Sequence, residues 1–191
     1  MRRNMRFLWP ILAAVCGCGW MLIQLLGGYD LYLHLGGLNS RRAAGALLFL
    51  CLVFLFIWAD MALGRSVQTK GGRIGLCIVL LGEAFLLLVL TSWSLFLGDC
   101  EPRYYTFRSP NGAYTVIVEE ESWLLCGWSN FYEPVCPGLM RKLDASLGTD
   151  DGYRPFSAGR YQLTWEADQL LVDCDFGSGG VWGTCRVPLG S

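Results

Sequence analysis

Apolar residues fall into three long, nearly uninterrupted runs before residue 97 and into short alternating runs after it. A hydrocarbon core about 30 Å thick needs about 20 helical residues at 1.5 Å rise each. Residues 7–26, 43–63 and 74–97 meet that length. The first run has only Gln24 as a strongly polar member, the second is uncharged up to Asp60, and the third contains Glu83. An acidic side chain near a helix centre costs on the order of 3 kcal/mol on insertion scales, while each Leu, Ile, Val or Phe returns roughly 0.3–0.6 kcal/mol. Fifteen such residues between Ile74 and Leu97 still carry the third run into the bilayer. Residues 1–97 are therefore expected to form a three-helix transmembrane domain.

Beyond Gly98 the period changes to two and turn residues punctuate it, which is the pattern of strands. Residues 103–108 (RYYTFR) and 113–121 (AYTVIVEEE) flank Ser109-Pro110-Asn111-Gly112, where Pro presets one backbone angle and Asn-Gly tolerates positive φ. That predicts a hairpin. A second hairpin runs from 160–165 (RYQLTW) to 169–176 (QLLVDCDF), and 181–188 supplies a further strand. Residues 138–147 fit one or two helical turns or an irregular strand, and 148–159 fit a loop. The fold class expected is an α+β membrane protein, three transmembrane helices followed by a small antiparallel sheet or half-open barrel over residues 98–191.

The segment Ser109-Pro-Asn-Gly-Ala-Tyr-Thr-Val116 resembles the SPDGxYxV turn-and-strand unit of secreted bacterial β-domains and propeller blades. A propeller needs several such units and the chain has one. The wider layout, with its acidic strand at 119–121, the 150–157 loop and the Tyr-x-Leu-x-Trp strand, is similar to small bacterial membrane proteins that join a helical anchor to an exported β-domain. The resemblance implies a fold type and carries over no catalytic residue.

The mean hydropathy of +0.39 and the net charge of −1 average two unlike halves. Met1 to Leu97 holds eight basic and three acidic residues, whereas Gly98 to Ser191 holds seven and thirteen, giving +5 and −6. Arg2, Arg3 and Arg6 precede the first run, and Arg65, Lys70 and Arg73 separate the second from the third. Arg41 and Arg42, then Arg103 and Arg108, lie on the other face. The excess puts the N-terminus in the cytoplasm and the C-terminal domain outside, with Arg41-Arg42 as the feature that argues against it. Trp9 and Trp58 near the inner boundaries, and Tyr29, Tyr32 and Trp93 near the outer ones, suit interfacial rings. Val15-Cys16-Gly17-Cys18 loosely resembles a lipoprotein cleavage box, but the apolar run continues through Trp20 to Leu26. A small-residue face for helix contact is the preferred account of Cys16 to Gly19.

Five of the nine cysteines, Cys100, Cys126, Cys136, Cys174 and Cys185, fall in the outer half, where an oxidising exterior allows pairing. Many pairings are open. Cys174 with Cys185 and Cys126 with Cys136 are preferred because each closes a short loop, leaving Cys100 free or paired between chains.

Catalytic constellations are scarce. His34 is the single histidine, no CxxC pair is present, and Lys142 is the lone outer lysine, so the chain is not expected to be an enzyme. Asp173 and Asp175 share a strand face and, with Gly177 and Ser178, make a weak calcium candidate that lacks a third acidic ligand and a closing Glu. A charged strand edge that discourages aggregation is the plainer account of them and of Glu119-Glu120-Glu121. No metal or cofactor is expected. Glu83 is an intramembrane functional candidate for proton or cation movement or for pairing with a partner, against a structural role bonded to Gln24 or Ser92. Trp123, Trp128, Phe131 and Tyr132 suit either a recognition loop or the filling of a small core. An acidic outer half disfavours nucleic acid. The expected partners are the bilayer and a protein partner or further copies of the chain. The function read from these features is display of an acidic extracytoplasmic β-domain for partner or envelope-component binding, with a small transporter subunit working through Glu83 as the alternative.

Overall fold

The computed structural model describes residues 5–36, 38–66, 70–98, 102–177 and 180–190. Cys100 and Ser178 lie outside the described residues, as do Arg2 and Arg3 and the side chains of Arg6, Arg65, Lys70 and Trp93. The chain divides into two compact units, one of residues 1–29 and 36–96, the other of residues 30–35 and 97–191.

The first unit contains the helices α1 (Met5–Gly28), α2 (Ser40–Ser66) and α3 (Lys70–Gly98). Within them Phe7–Gly28, Ser40–Leu63 and Gly71–Ser92 are long and apolar enough to cross a membrane. Helices α1 and α2 meet through small side chains. Ala13, Cys16 and Ala44 are buried, a Cβ on Gly19 would stand 3.2 Å from Leu47, and Trp9 meets Phe54 at 5.9 Å. Close approach of this kind is how helices associate where no hydrophobic drive operates between them. Helix α2 starts where the Asn39 side chain accepts the Arg42 N–H at 2.9 Å, an N-cap.

The second unit departs from the sequence expectation at its start. The segment between α1 and α2 forms the strand β1 (Leu31–Leu35), followed by the short β2 (Leu38–Asn39). The order along the chain is thus helix, strands, helices, strands. After α3 come β3 (Arg103–Arg108), β4 (Thr115–Trp123), β5 (Cys126–Cys136) and β6 (Leu139–Asp150), and the larger sheet has the order β2-β1-β6-β5-β4-β3. Strand β1 pairs with β6 in antiparallel register, Leu31 with Arg141 and Leu33 with Leu139. Asp30, at φ 56, turns the chain out of α1 and accepts the Lys142 N–H at 2.8 Å. A second sheet of β7 (Tyr161–Trp165), β8 (Gln169–Asp175) and β9 (Trp182–Pro188) has the order β7-β8-β9.

The predicted turn at Ser109 forms. Gly112 sits at φ +72 and its N–H reaches Ser109 O at 2.9 Å, while the Asn111 side chain accepts from Ala113 N and Ser109 Oγ. Residues 138–147 resolve to strand, because β6 must run beside the whole of β5. Strand β5 carries two register shifts, at Asn130/Tyr132 and Pro134/Cys136. Such bulges bend a strand and accommodate a residue such as Pro134 that has no N–H for the ladder. The segment expected as a recognition loop is therefore mostly strand. Only Leu124 and Leu125 remain as the connection between Trp123 and Cys126, which are register partners.

The two sheets enclose one core of Val116, Val118, Phe131, Leu143 and Leu147 against Leu170, Val172, Cys174 and Val187. Phe156, from the loop before β7, sits at its centre, 4.9 Å from Tyr161 and 6.3 Å from Phe131 between ring centroids. Buried Glu120 holds that loop in place, accepting the N–H of Phe156 at 2.7 Å, the N–H of Ser157 at 3.0 Å and the Ser157 hydroxyl. This corrects the solvated-edge reading of Glu119-Glu120-Glu121. Strand β4 lies inside the sheet, and Glu120 and Glu121 are 1% and 3% exposed. A charge is tolerated there because its oxygens are saturated with donors. Asp175 is likewise buried, capped by Arg160 at 3.1 Å and by the Gly177 N–H at 2.9 Å.

All eight described cysteines are free thiols. Cys126 and Cys136 stand at opposite ends of β5, roughly 30 Å apart at strand rise, whereas a disulfide needs Cα atoms within about 7 Å. Cys174 and Cys185 are diagonal neighbours on β8 and β9, but Cys174 is fully buried and the Cys185 thiol points to Ser146 O at 3.7 Å.

Truncating the fully buried Phe131 ring, Phe131→Ala, is expected to cost about 3–5 kcal/mol. Chemical unfolding of the detergent-solubilised chain, followed by near-UV circular dichroism, measures the loss.

Candidate functional site

Alternation along the larger sheet sends Val116, Val118 and Glu120 to the core and leaves a second face for Ile117 and Glu119. Five neighbouring strands contribute to that face: Tyr104 from β3, Glu119 and Ile117 from β4, Tyr132 from β5, Met140 from β6, and Tyr32 with His34 from β1. The sheet curls strongly around them. In a flat sheet β1 and β3, four strand spacings apart, would be roughly 19 Å from each other. The rings of His34 and Tyr104 instead lie 4.3 Å apart, so the two strands meet across the concave side as in a half-barrel.

A clamped carboxylate occupies the middle of this hollow. The Tyr104 hydroxyl donates to Glu119 Oε1 and the Tyr132 hydroxyl to Oε2, both at 2.5 Å, in the range of O–H···O⁻ bonds. Tyr32 packs edge-on against Tyr132 at 5.5 Å. Burial, reinforced by the adjacent Glu119, pushes the Tyr132 phenol well above the usual tyrosine range, and burial with Asp30 and Glu119 raises Tyr32 as well. Tyr104 and Tyr132 therefore serve as fixed donors to the two Glu119 oxygens.

One polar atom in the hollow has no partner. His34 N donates along the backbone to Gly138 O at 2.9 Å, but the side-chain Nδ1 is sealed from solvent without a hydrogen bond. The His34 residue also lines a cavity of ≈ 340 Å³, together with Ile117 and the turn from Pro134 to Met140. The walls are apolar apart from the imidazole and the Cys136 thiol at the rim. Gly138, at φ +88, lets the turn pass within contact of Leu35, where any Cβ would fall 2.5 Å from that side chain. This volume suits a small apolar group.

Other predicted residues are dispersed. Phe131 is core, Tyr132 belongs to the clamp, Trp128 is half-buried and Trp123 is exposed at the hairpin end, so the four do not form one loop surface. Asp173 accepts from the Thr184 hydroxyl and Asp175 from Arg160, and among the described residues no group of three or more metal-type side chains converges. Gln24 is exposed, and Asp60 and Glu83 are half-buried on α2 and α3. Cys174 is pushed up to about 11, chiefly by burial and then by Cys185, which keeps it a thiol at neutral pH. The sequence reading missed Glu119, Tyr104 and the role of His34. The signal available was Leu31-Tyr-Leu-His-Leu35, a period-two stretch lying between two membrane helices.

No family model, no curated protein and no solved structure matches the chain.

The clamp has a pH signature. An unfolded tyrosine ionises near pH 10, whereas Tyr132 keeps its proton in the fold, so stability present below about pH 10 is lost above it at about 1.4 kcal/mol per pH unit. Cys174 adds a decline of the same sign beginning near pH 8.5, the ordinary thiol value. Unfolding midpoints measured across this alkaline range should fall steadily, and Tyr132→Phe should flatten the upper part of the curve.

Proposed function

We propose that the chain is an integral membrane protein that holds an acidic β-domain outside the cytoplasmic membrane and uses the mouth of its curled sheet to bind a partner or envelope component. The observation that carries this reading is the largely apolar cavity of ≈ 340 Å³ walled by His34, Ile117 and the turn from Pro134 to Met140. A pre-formed apolar concavity of this size suits a small apolar ligand. The orientation rests on the basic residues flanking the first run and separating the second from the third. Pairing of β1 with β6 supports an odd number of crossings, since α2 and α3 together must return the chain to the side on which β1 lies. The likeness of residues 109–116 to exported bacterial β-domains agrees with the same placement.

A membrane-impermeant maleimide added to whole cells is expected to modify the exposed Cys126 and Cys136 without lysis. Native mass spectrometry of the chain released from its own membrane should then find a small apolar species bound. Val135→Trp, at an exposed rim position, fills the mouth and should remove it. Labelling only after permeabilisation rejects the orientation, and identical spectra for both proteins reject the cavity as the binding site.

A second reading, a transporter subunit working through Glu83, draws on the acidic residues that the apolar helices α2 and α3 carry, Asp60 and Glu83. An ionisable side chain in a membrane-spanning segment is by default a candidate for proton or cation movement. Three helices enclose no pore, and this role requires assembly with a partner or more copies. Glu83→Gln preserves a donor but removes the exchangeable charge. On this reading it assembles normally and loses ion-coupled flux in reconstituted vesicles, and unchanged flux discards the reading.

A further inference from the structure

Strand β7 is an outermost strand of the smaller sheet, bonded to β8 in continuous register without a bulge. Asp175 N donates to Arg160 O at 3.2 Å and Glu166 N to Gln169 O at 2.9 Å, so the even-numbered residues from 160 to 166 turn their backbone groups towards β8. Tyr161, Leu163 and Trp165 then direct theirs away from the sheet. Among the described residues nothing pairs with them.

Proteins usually blunt such edges with charge, Pro, a bulge or brevity. The other outer strands follow that practice. Strand β2 is two residues long, β3 has Arg at both ends, and β9 carries Arg186 and Pro188 and lies against β6, where the Cys185 thiol meets Ser146 O. Strand β7 reads Tyr-Gln-Leu-Thr-Trp, an uncharged run rich in strand formers.

The chain around this edge is symmetric about Leu163. When β7 meets the same strand of a second copy antiparallel and along its whole length, Leu163 faces its own counterpart, Tyr161 faces Trp165, Gln162 faces Thr164 and Arg160 faces Glu166. Backbone parity matches this register, because the residues with outward N–H and C=O groups face one another and each such pair exchanges both bonds. Tyr161, Leu163 and Trp165 are also the side chains that pack half-buried against the core, so the pairing carries the apolar layer across the junction with an aromatic pair on either side of the two leucines. Arg160, Gln162, Thr164 and Glu166 share the exposed face. There the pairs that exchange no backbone bond bring Cβ atoms to about 4.5–5.5 Å, and an Arg lies opposite a Glu at both ends. In the single chain these charges lean on their own sheet, Arg160 on Asp175 at 3.1 Å and Glu166 on Gln169.

We propose that the free edge of β7 is a self-recognition surface, at which two copies of the chain join their smaller sheets into one continuous sheet centred on Leu163. A second copy is the occupant because the edge carries its own complement: read in reverse, its charge and ring positions match. The contact uses no residue of the cavity wall.

The test uses the full chain in detergent micelles and the exposed positions 162 and 164, where substitution leaves the core untouched. Sedimentation velocity of the wild type is expected to show a dimer. Gln162→Cys and Thr164→Cys, carried on separate co-expressed chains, should give a disulfide-linked dimer on oxidation, whereas either variant expressed alone should not exceed the wild type. Gln162→Lys with Thr164→Lys sets lysine against lysine and is expected to weaken association about tenfold. Gln162→Lys with Thr164→Glu sets lysine against glutamate and should restore it. A monomeric wild type overturns the proposal. So does a dimer that withstands the lysine pair, or one without the mixed cross-link, either of which assigns the contact to another surface or register.

Discussion

Backbone groups of residues 31–35 must find hydrogen-bond partners, and they find them in β6, more than half the chain away. Much of the molecule follows from that pairing. It ties the connection between two apolar helices into the C-terminal sheet, so that connection lies on the same side of any bilayer as the later strands. It also supplies the strand that completes the hollow. Without β1 the concave face would lack Tyr32 and His34, Tyr104 would lose the ring it packs against, and the cavity would have no polar wall.

Inside the domain, two adjacent glutamates on one strand show how facing decides fate. Glu119 points to the hollow and takes two phenol donors, whereas Glu120 points to the core and takes two amides and a hydroxyl. Each anion is saturated, and each fixes a different part of the structure. Glu119 locks β3 to β5 across β4, and Glu120 fastens the loop that delivers Phe156 to the centre of the core. Acidity on this half of the chain is thus partly internal architecture and not simply a solvated surface.

The three apolar runs and strands β3, β4 and β7 to β9 were legible because their periods are strong and their turns carry Pro, Gly and Asn. The site was not legible, for identifiable reasons. Leu31-Tyr-Leu-His-Leu35 alternates as a strand does, but its partner is remote and no local signal names it. Residues 124 and 125 form a tight turn without turn residues, so the sequence from Trp123 to Cys136 reads as one aromatic loop although it is a turn followed by a bulged strand. The cysteine pairings failed for a related reason. A short spacing brings two cysteines together only where the chain turns back at the right register: between Cys126 and Cys136 it runs along one strand, and at the β8–β9 turn Cys174 and Cys185 fall on diagonal positions.

The remote partner of β1 also sets an order of assembly. Residues 31–35 are synthesised and placed before two further helices and the four strands β2 to β5 exist, and β6 is the last strand of the larger sheet to leave the ribosome. Until then β1 is an unpaired edge held between two helices, and the longest-range contact of the sheet must form late. The hollow therefore closes only after the third helix has been made. A chain stopped before β6 would retain its helices and the clamp residues on β3 to β5 but would lack the Leu139 and Met140 wall of the cavity.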